Sequence, residues 1–347
     1  MSQVRDHRRS FTTPAGRVLP FTTLGFGTAP LGNLARVLTE EEADAVLTAA
    51  WRSGARYFDT APLYGHGLAE ARVGRRLKSE PRTEFILSTK VGRVLEPCAP
   101  GEEASGPYLS TPPFRVRFDY TRDGVLRSFE DSLGRLGVDR VDILFVHDCE
   151  PKTQGADYSA RWAELTRGGG WQALADLRAE GVVTAIGMGV NEVAPCERLL
   201  AELDPDIFLL AGRYTLLEQT PLHGLMADCS RRGVGIVIGG PYNSGVLARS
   251  SGTFDYAEPP PGVLGKVERL QAVCDRFGVS LKAAALQFAG AHPAVVSVIP
   301  GAQTPDEVTA NASLMVEKVP DDFWSALKNE RLIDPAAPTP RAEALAC

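Results

Sequence analysis

Short apolar runs alternate with longer amphipathic stretches along most of this chain. The apolar runs fall at residues 23–27, 56–59, 85–90, 141–147, 184–190, 207–210, 235–238 and 296–299. Helical periodicity fills most of the spaces between them, at 40–53, 68–78, 122–136, 171–180, 194–203, 221–232 and 263–277. Gly54, Gly137, Gly181 and Gly233 follow four of these stretches, where a left-handed helix cap is expected. Regular strand–helix alternation predicts a parallel sheet covered by helices. Eight strands predict an α/β fold of the TIM type, a single (β/α)8 barrel. An open doubly wound sheet would need a glycine-rich turn running straight into a helix. Leu24-Gly25-Phe26-Gly27-Thr28 has the glycines, but no helical pattern follows promptly. Residues 11–18 are expected to form an N-terminal hairpin that plugs the barrel bottom. Residues 1–10 and 335–347 are expected as extended or flexible tails of one domain spanning 1–347.

Two irregular stretches interrupt the alternation. Residues 92–118 are rich in Pro and Gly and carry Tyr108, Phe114 and Phe118; residues 250–261 carry Phe254, Tyr256 and three consecutive prolines. In a barrel both would be long loops leaving the C-terminal rim, where active sites are built. They are expected to form a substrate wall and a cofactor lid; plain surface insertions are the alternative.

At 347 residues, 44% hydrophobic and 23% charged, the chain has room for one large barrel. A net charge of −6 disfavours nucleic acid as a partner. No run approaches the ~18 apolar residues of a membrane span, and the basic start Met1–Arg9 lacks the apolar core of a secretory signal. The six cysteines (Cys98, Cys149, Cys196, Cys229, Cys274, Cys347) show no CxxC spacing. Free thiols in a reducing cytoplasm are the simpler expectation. The five histidines are dispersed, and no metal site is expected.

Three of the strands end in residues that can handle protons. Tyr57-Phe58-Asp59 leads to Tyr64, the run at 85–90 ends in Lys90, and that at 141–147 ends in His147. A tyrosine is a weak acid, with an unperturbed pKa of about 10, but a neighbouring ammonium favours the phenolate. An acid can hold the ammonium, and an imidazole can orient a substrate oxygen.

Phe58-Asp59-Thr60-Ala61 with Tyr64-Gly65, Glu70, Gly74 and Leu77 resembles the signature of the aldo-keto reductase superfamily. Asp119-Tyr120, Ser128, Ser132-Leu133, Arg135-Leu136, Asp139, Val141-Asp142 and His147 are similar to its second signature, and Ile299-Pro300-Gly301-Ala302 with Asn311 to its cofactor-end motif. The resemblance runs from about Thr23 to Asn311. It implies a catalytic tetrad of Asp59, Tyr64, Lys90 and His147, and hydride transfer to or from a nicotinamide. It also implies cofactor contacts from Gly27 and Thr28, from Asn191, from Tyr242, Asn243, Ser244 and Gly245, and from Gly301, Gln303, Thr304, Glu307 and Asn311. NAD is expected over NADP, because Gly301, Ala302 and Glu307 offer no cation to a 2′-phosphate.

Some positions depart from the common pattern. Gly189-Val190-Asn191 stands where many relatives have Ser-Asn, so that Asn191 is expected to take the carboxamide contact. Ala211 stands at a glutamine position, and Gly239 or Gly240 at that of a stacking aromatic. These changes, with Tyr214–Glu218 and Asp334–Pro340, resemble the sugar-oxidising branch. The expected reaction is oxidation of a cyclic aldose (L-fucose, D-arabinose or L-galactose type) at C1 to an aldonolactone. The alternatives are oxidation of pyridoxal, NADPH-dependent carbonyl reduction, and a catalytically silent binding subunit.

Overall fold

The computed structural model describes residues 4–103, 106–249, 252–255 and 257–340. The N-terminal strands β1 (Arg8–Thr12) and β2 (Val18–Thr22) form an antiparallel hairpin. Then come β3 (Phe26–Gly27), β4 (Tyr57–Asp59), β5 (Ile86–Val91), β6 (Arg93–Pro97), β7 (Phe114–Phe118), β8 (Ile143–His147), β9 (Ala185–Val190), β10 (Ile207–Ala211), β11 (Gly235–Gly239) and β12 (Val295–Ile299). Strands β3, β4, β5, β8, β9, β10, β11 and β12 pair in parallel in that order. Parallel bridges Leu24–Val298 and Gly27–Gly301 join the last strand to the first. The fold is a (β/α)8 barrel.

The barrel interior is a separate apolar cluster built by strand alternation. Tyr57, Ile86, Ile143, Phe145, Ala185, Ile207, Leu209, Val237, Val296 and Ile299 point inward, and Phe11, Leu19 and Phe21 of the hairpin pack beneath them. The hairpin thus spans residues 8–22, wider than expected, and closes the bottom. Residues 4–6 form a 3-10 turn with Val4 buried, so most of the expected leading tail is structured. At the other end Ala337 is buried. Residues 1–3 and 341–347 of the two expected tails, Cys347 among them, lie outside the described residues, as do Ser250 and Tyr256.

Several signature positions turn out to be structural. A Cβ on Gly74 would lie 1.8 Å from the Leu136 carbonyl oxygen, so helices Leu68–Leu77 and Arg122–Leu136 can approach only because that residue is glycine. Glu70 is fully buried between Arg135 Nε (2.6 Å) and Thr89 Oγ1 (2.6 Å). Asp142 accepts from the Leu87 amide (2.7 Å) and from Arg82 (2.8 Å), tying β5 to the start of β8.

Residues 92–118, expected to be irregular, contain the antiparallel ribbon β6–β7. The reason is visible in Phe114-Arg115-Val116-Arg117-Phe118, which alternates apolar and basic residues with the period of a strand. Helix 221–232 starts later than expected, at Leu225.

Candidate active site

The alternation that fills the barrel with apolar side chains also loads its C-terminal rim with polar ones. Counting up from the inward residues Tyr57, Ile86 and Ile143, every second position points inside. That places Asp59 at the end of β4, Ser88 and Lys90 on β5, and His147 at the end of β8 on the interior face. Tyr64 follows on the loop after β4.

Lys90 is 1% exposed. Its Nζ donates to Asp59 Oδ2 (2.7 Å), to the Thr60 carbonyl (2.8 Å) and to Tyr64 Oη (3.1 Å), which uses all three ammonium hydrogens. Asp59 accepts a further bond from Ser88 Oγ (2.7 Å), which in turn contacts Tyr57 Oη (2.9 Å). Burial raises the Asp59 carboxyl above its ordinary range, against the pull of Lys90 and Ser88. Deleting either partner of such a pair leaves a buried charge and typically costs about 3–5 kcal/mol.

The His147 ring stands edge-on to Tyr64, with ring centroids 5.8 Å apart. Its carbonyl accepts from Tyr120 Oη (2.6 Å), which fixes the backbone there. Burial, with Arg93 and Lys90 nearby, holds the imidazole well below its usual pKa, so the ring is neutral near pH 7. Nδ1 is buried and finds no hydrogen-bond partner among the described residues. We therefore assign the ring proton to Nε2, which lies 3.4 Å from Asp148 Oδ2. Asp148 is itself paired with Arg93 (2.5 Å). Tyr108, from the long loop after β6, reaches back to Tyr64 with centroids 6.3 Å apart.

The positions expected at the cofactor gather in two places and depart at a third. Gly27 and Thr28 lie beside the tetrad, the Thr28 amide donating to the Asp59 carbonyl (3.0 Å). After β11 the backbone takes positive φ at Gly240, Asn243, Ser244 and Gly245 (56°, 47°, 59° and 105°), a conformation that can turn N–H groups toward an anion. Thr253 covers this turn, its Oγ1 donating to the Ser244 carbonyl (2.9 Å). Tyr242 Oη donates to Asn311 Oδ1 (2.7 Å), joining the turn to helix Pro305–Met315. Thr304 caps that helix, Gln303 donates its amide to Glu307 Oε2 (2.8 Å), and Gly301 bridges Gly27. Asn191 is the exception. Its side-chain nitrogen is committed to Glu150 (3.0 Å) and Asp148 (3.3 Å), which leaves only its oxygen for a carboxamide.

Three participants were missed from the sequence. Asp148 and Arg93 border His147, and Arg249 pairs with Glu307. The adjacency of Asp148 to His147 was a usable signal; the arginines reach the site only through the fold.

The residues present fit a dinucleotide. Thr28 Oγ1 and Asn243 Oδ1 are buried and find no hydrogen-bond partner among the described residues, and the positive-φ turn that contains Asn243 suits a pyrophosphate. Among the described residues, no group of three or more His, Cys, Asp or Glu side chains could hold a metal ion. No helix among them is long and apolar enough to cross a membrane.

An α/β barrel with an ammonium-held phenol at its rim and a positive-φ turn after β11 has the make-up of an oxidoreductase. Residues 23–330 match the profile of the Aldo/keto reductase family, and the chain belongs to that family, whose members use nicotinamide cofactors. It is 42% identical to a pyridoxal 4-dehydrogenase of Microbacterium luteolum over 91% of this chain and 95% of that one. To a D-threo-aldose 1-dehydrogenase of a Pseudomonas species it is 39% identical, over 95% of this chain and all of the other. An aldo-keto reductase of Bacillus halodurans, solved in its holo form, shares the fold with a TM-score of 0.70 at 24% identity, covering 95% and 97% of the two chains.

Proposed function

We propose that this protein is an NAD-dependent aldose 1-dehydrogenase that oxidises the cyclic form of an aldose to its aldonolactone, with Asp59, Tyr64, Lys90 and His147 as its catalytic groups. The observation that carries the reading is the bond from Lys90 Nζ to Tyr64 Oη (3.1 Å) with His147 facing the same phenol. An ammonium donating to the phenol oxygen favours the phenolate, and the phenolate takes the proton of the C1 hydroxyl as general base. His147 Nε2–H donates to the same substrate oxygen and orients it. Asp59 holds the ammonium in place. Gly27, Thr28, residues 242–245 and Gly301, Gln303, Thr304, Glu307 and Asn311 would hold NAD, which would serve as acceptor for the C1 hydride. Loss of the hydroxyl proton and the C1 hydride leaves a C1 carbonyl in the ring, which is the lactone.

Preference for an aldose of the L-fucose, D-arabinose or L-galactose type draws support from the 39% identical aldose dehydrogenase and from the charged rim at Arg93 and Asp148, which suits a polyhydroxylated ring. Oxidation of pyridoxal, another cyclic hemiacetal, is the second reading, favoured by the 42% identical relative. The reading includes a cytoplasmic enzyme, since the free thiols at Cys98, Cys149, Cys196, Cys229 and Cys274 suit a reducing compartment. The test is NAD reduction across those three sugars and pyridoxal, with NADPH oxidation by simple aldehydes run alongside. Higher kcat/KM for an aldose than for pyridoxal is expected. Pyridoxal outperforming every aldose, or turnover only with NADPH and aldehydes, overturns the reading.

A further inference from the structure

Asp148 sits at the mouth of the site in an unusual backbone state. Its φ is +49°, in the left-handed region that non-glycine residues seldom occupy and that Asp tolerates better than most. Three neighbours hold it there. Arg93 pairs with Oδ2 (2.5 Å), Asn191 Nδ2 contacts Oδ1 (3.3 Å), and Gln154 Nε2 donates to its carbonyl (3.0 Å). Arg93 is itself fixed, its guanidinium lying 4.7 Å from the Phe118 ring centroid. The Asp148 side chain keeps 11% of its surface exposed, and Oδ2 lies 3.4 Å from His147 Nε2. A carboxylate has about four acceptor positions, more than these contacts occupy.

Resting on the aldose reading above, we propose that Asp148 is a specificity-determining residue that accepts a hydrogen bond from the sugar hydroxyl on C2, next to the reacting C1. The geometry closes. If Nε2 holds the C1 oxygen at hydrogen-bond length and the ring is turned with C2 on the Asp148 side, the C2 hydroxyl oxygen, about 3 Å from O1, comes within the same reach of the carboxylate oxygen beside Nε2. The four atoms then form a near-square, with Nε2–H serving O1 and the C2 hydroxyl serving Asp148. A sugar that lacks the C2 hydroxyl leaves the carboxylate without that donor.

The experiment compares D-arabinose with 2-deoxy-D-ribose, which is 2-deoxyarabinose, and L-fucose with 2-deoxy-L-fucose. kcat/KM with NAD is measured for wild type, Asp148→Asn and Asp148→Ala. A hydrogen bond to a charged group corresponds to a preference for the parent sugar of about 10- to 100-fold in wild type. In Asp148→Ala the preference should collapse toward one, and in Asp148→Asn, which keeps a neutral acceptor, it should fall below that of wild type, in each case through loss on the parent sugar rather than gain on the deoxy sugar. A merely structural Asp148 would lower both sugars together and leave the ratio intact, which overturns the assignment. Wild type that accepts the deoxy sugars as readily as their parents also overturns it, with no variant needed. Oxidation of no aldose at all overturns the aldose reading and this assignment with it; oxidation without C2 discrimination overturns this assignment alone.

Discussion

A lysine ammonium that is 1% exposed is tolerated only if its charge is shared and its hydrogens are satisfied. Here Asp59, the Thr60 carbonyl and Tyr64 do both. The third bond is the one that matters for chemistry, because it ends on a phenol that is partly open to the rim, not on another structural group. Tyr64→Phe keeps the ring and its packing against Tyr108 and His147 but removes the only atom of that side chain able to move a proton. Turnover should fall by about 10²–10⁴-fold, the usual contribution of a positioned acid–base group, while NAD affinity is retained. Initial rates and a fluorescence titration with NAD check the two halves separately; near-normal turnover would remove Tyr64 as the base.

At the scale of elements, the first turn of helix Pro305–Met315 would meet the adenosine end of the dinucleotide in the proposed site. Glu307 caps that turn, accepting from the Gln303 amide (2.8 Å), and also pairs with Arg249. The acid therefore does two things in the proposed site: it repels a 2′-phosphate, and it occupies the guanidinium of Arg249. Glu307→Gln should release Arg249 and raise the kcat/KM ratio of NADP to NAD by about tenfold, the equivalent of one modest charge-assisted contact at ~1.4 kcal/mol. Adding Arg249→Ala should cancel the gain. A wild type that already prefers NADP would sink the NAD preference.

That Arg249–Glu307 pair also marks what the sequence could and could not disclose. Strands were legible because apolar runs at 85–90 or 235–238 are short and punctuated, and the strand ends brought Asp59, Lys90 and His147 to one rim, while their roles came from the family resemblance. Tyr64 was legible by following the strand that ends at Asp59, but its acid–base role came from the same resemblance, since a loop tyrosine has no periodicity to read. Helix Leu281–Gly290 went unseen because residues 283–289 are all buried, which leaves no polar face to reveal a helical period. Helices Tyr158–Thr166 and Asp321–Asn329 are short and sit outside the simple alternation. Contacts such as Arg93 with Asp148, or Arg249 with Glu307, join residues more than fifty positions apart, and no local pattern encodes them.

For the molecule as a whole, burial sets a pH dependence of stability independent of catalysis. His66, His147 and His292 all have pKa values pushed down, in each case chiefly by burial. In the unfolded chain they titrate near ~6.5. Below that pH the unfolded state binds protons that the folded state refuses, so stability falls as pH drops from ~6.5 through the lower folded values. Buried Asp59, Glu150 and Asp206 have raised values; they take up protons on folding and work in the opposite direction. Below about pH 6.5 each histidine contributes a slope of up to ~1.4 kcal/mol per pH unit toward lower stability, which those carboxyls oppose. His292 is the one to test, because it lies outside the proposed site and its Nδ1 accepts the Ala294 amide (3.1 Å), a bond that protonation destroys. His292→Asn keeps an acceptor of similar reach without a titrating ring. Urea denaturation at pH 7.5, 6.5 and 5.5 should show wild type losing stability toward acid and the variant losing less. Parallel slopes for the two proteins would exclude His292 as a contributor, and a flat wild-type profile would show that burial does not set this acid limb.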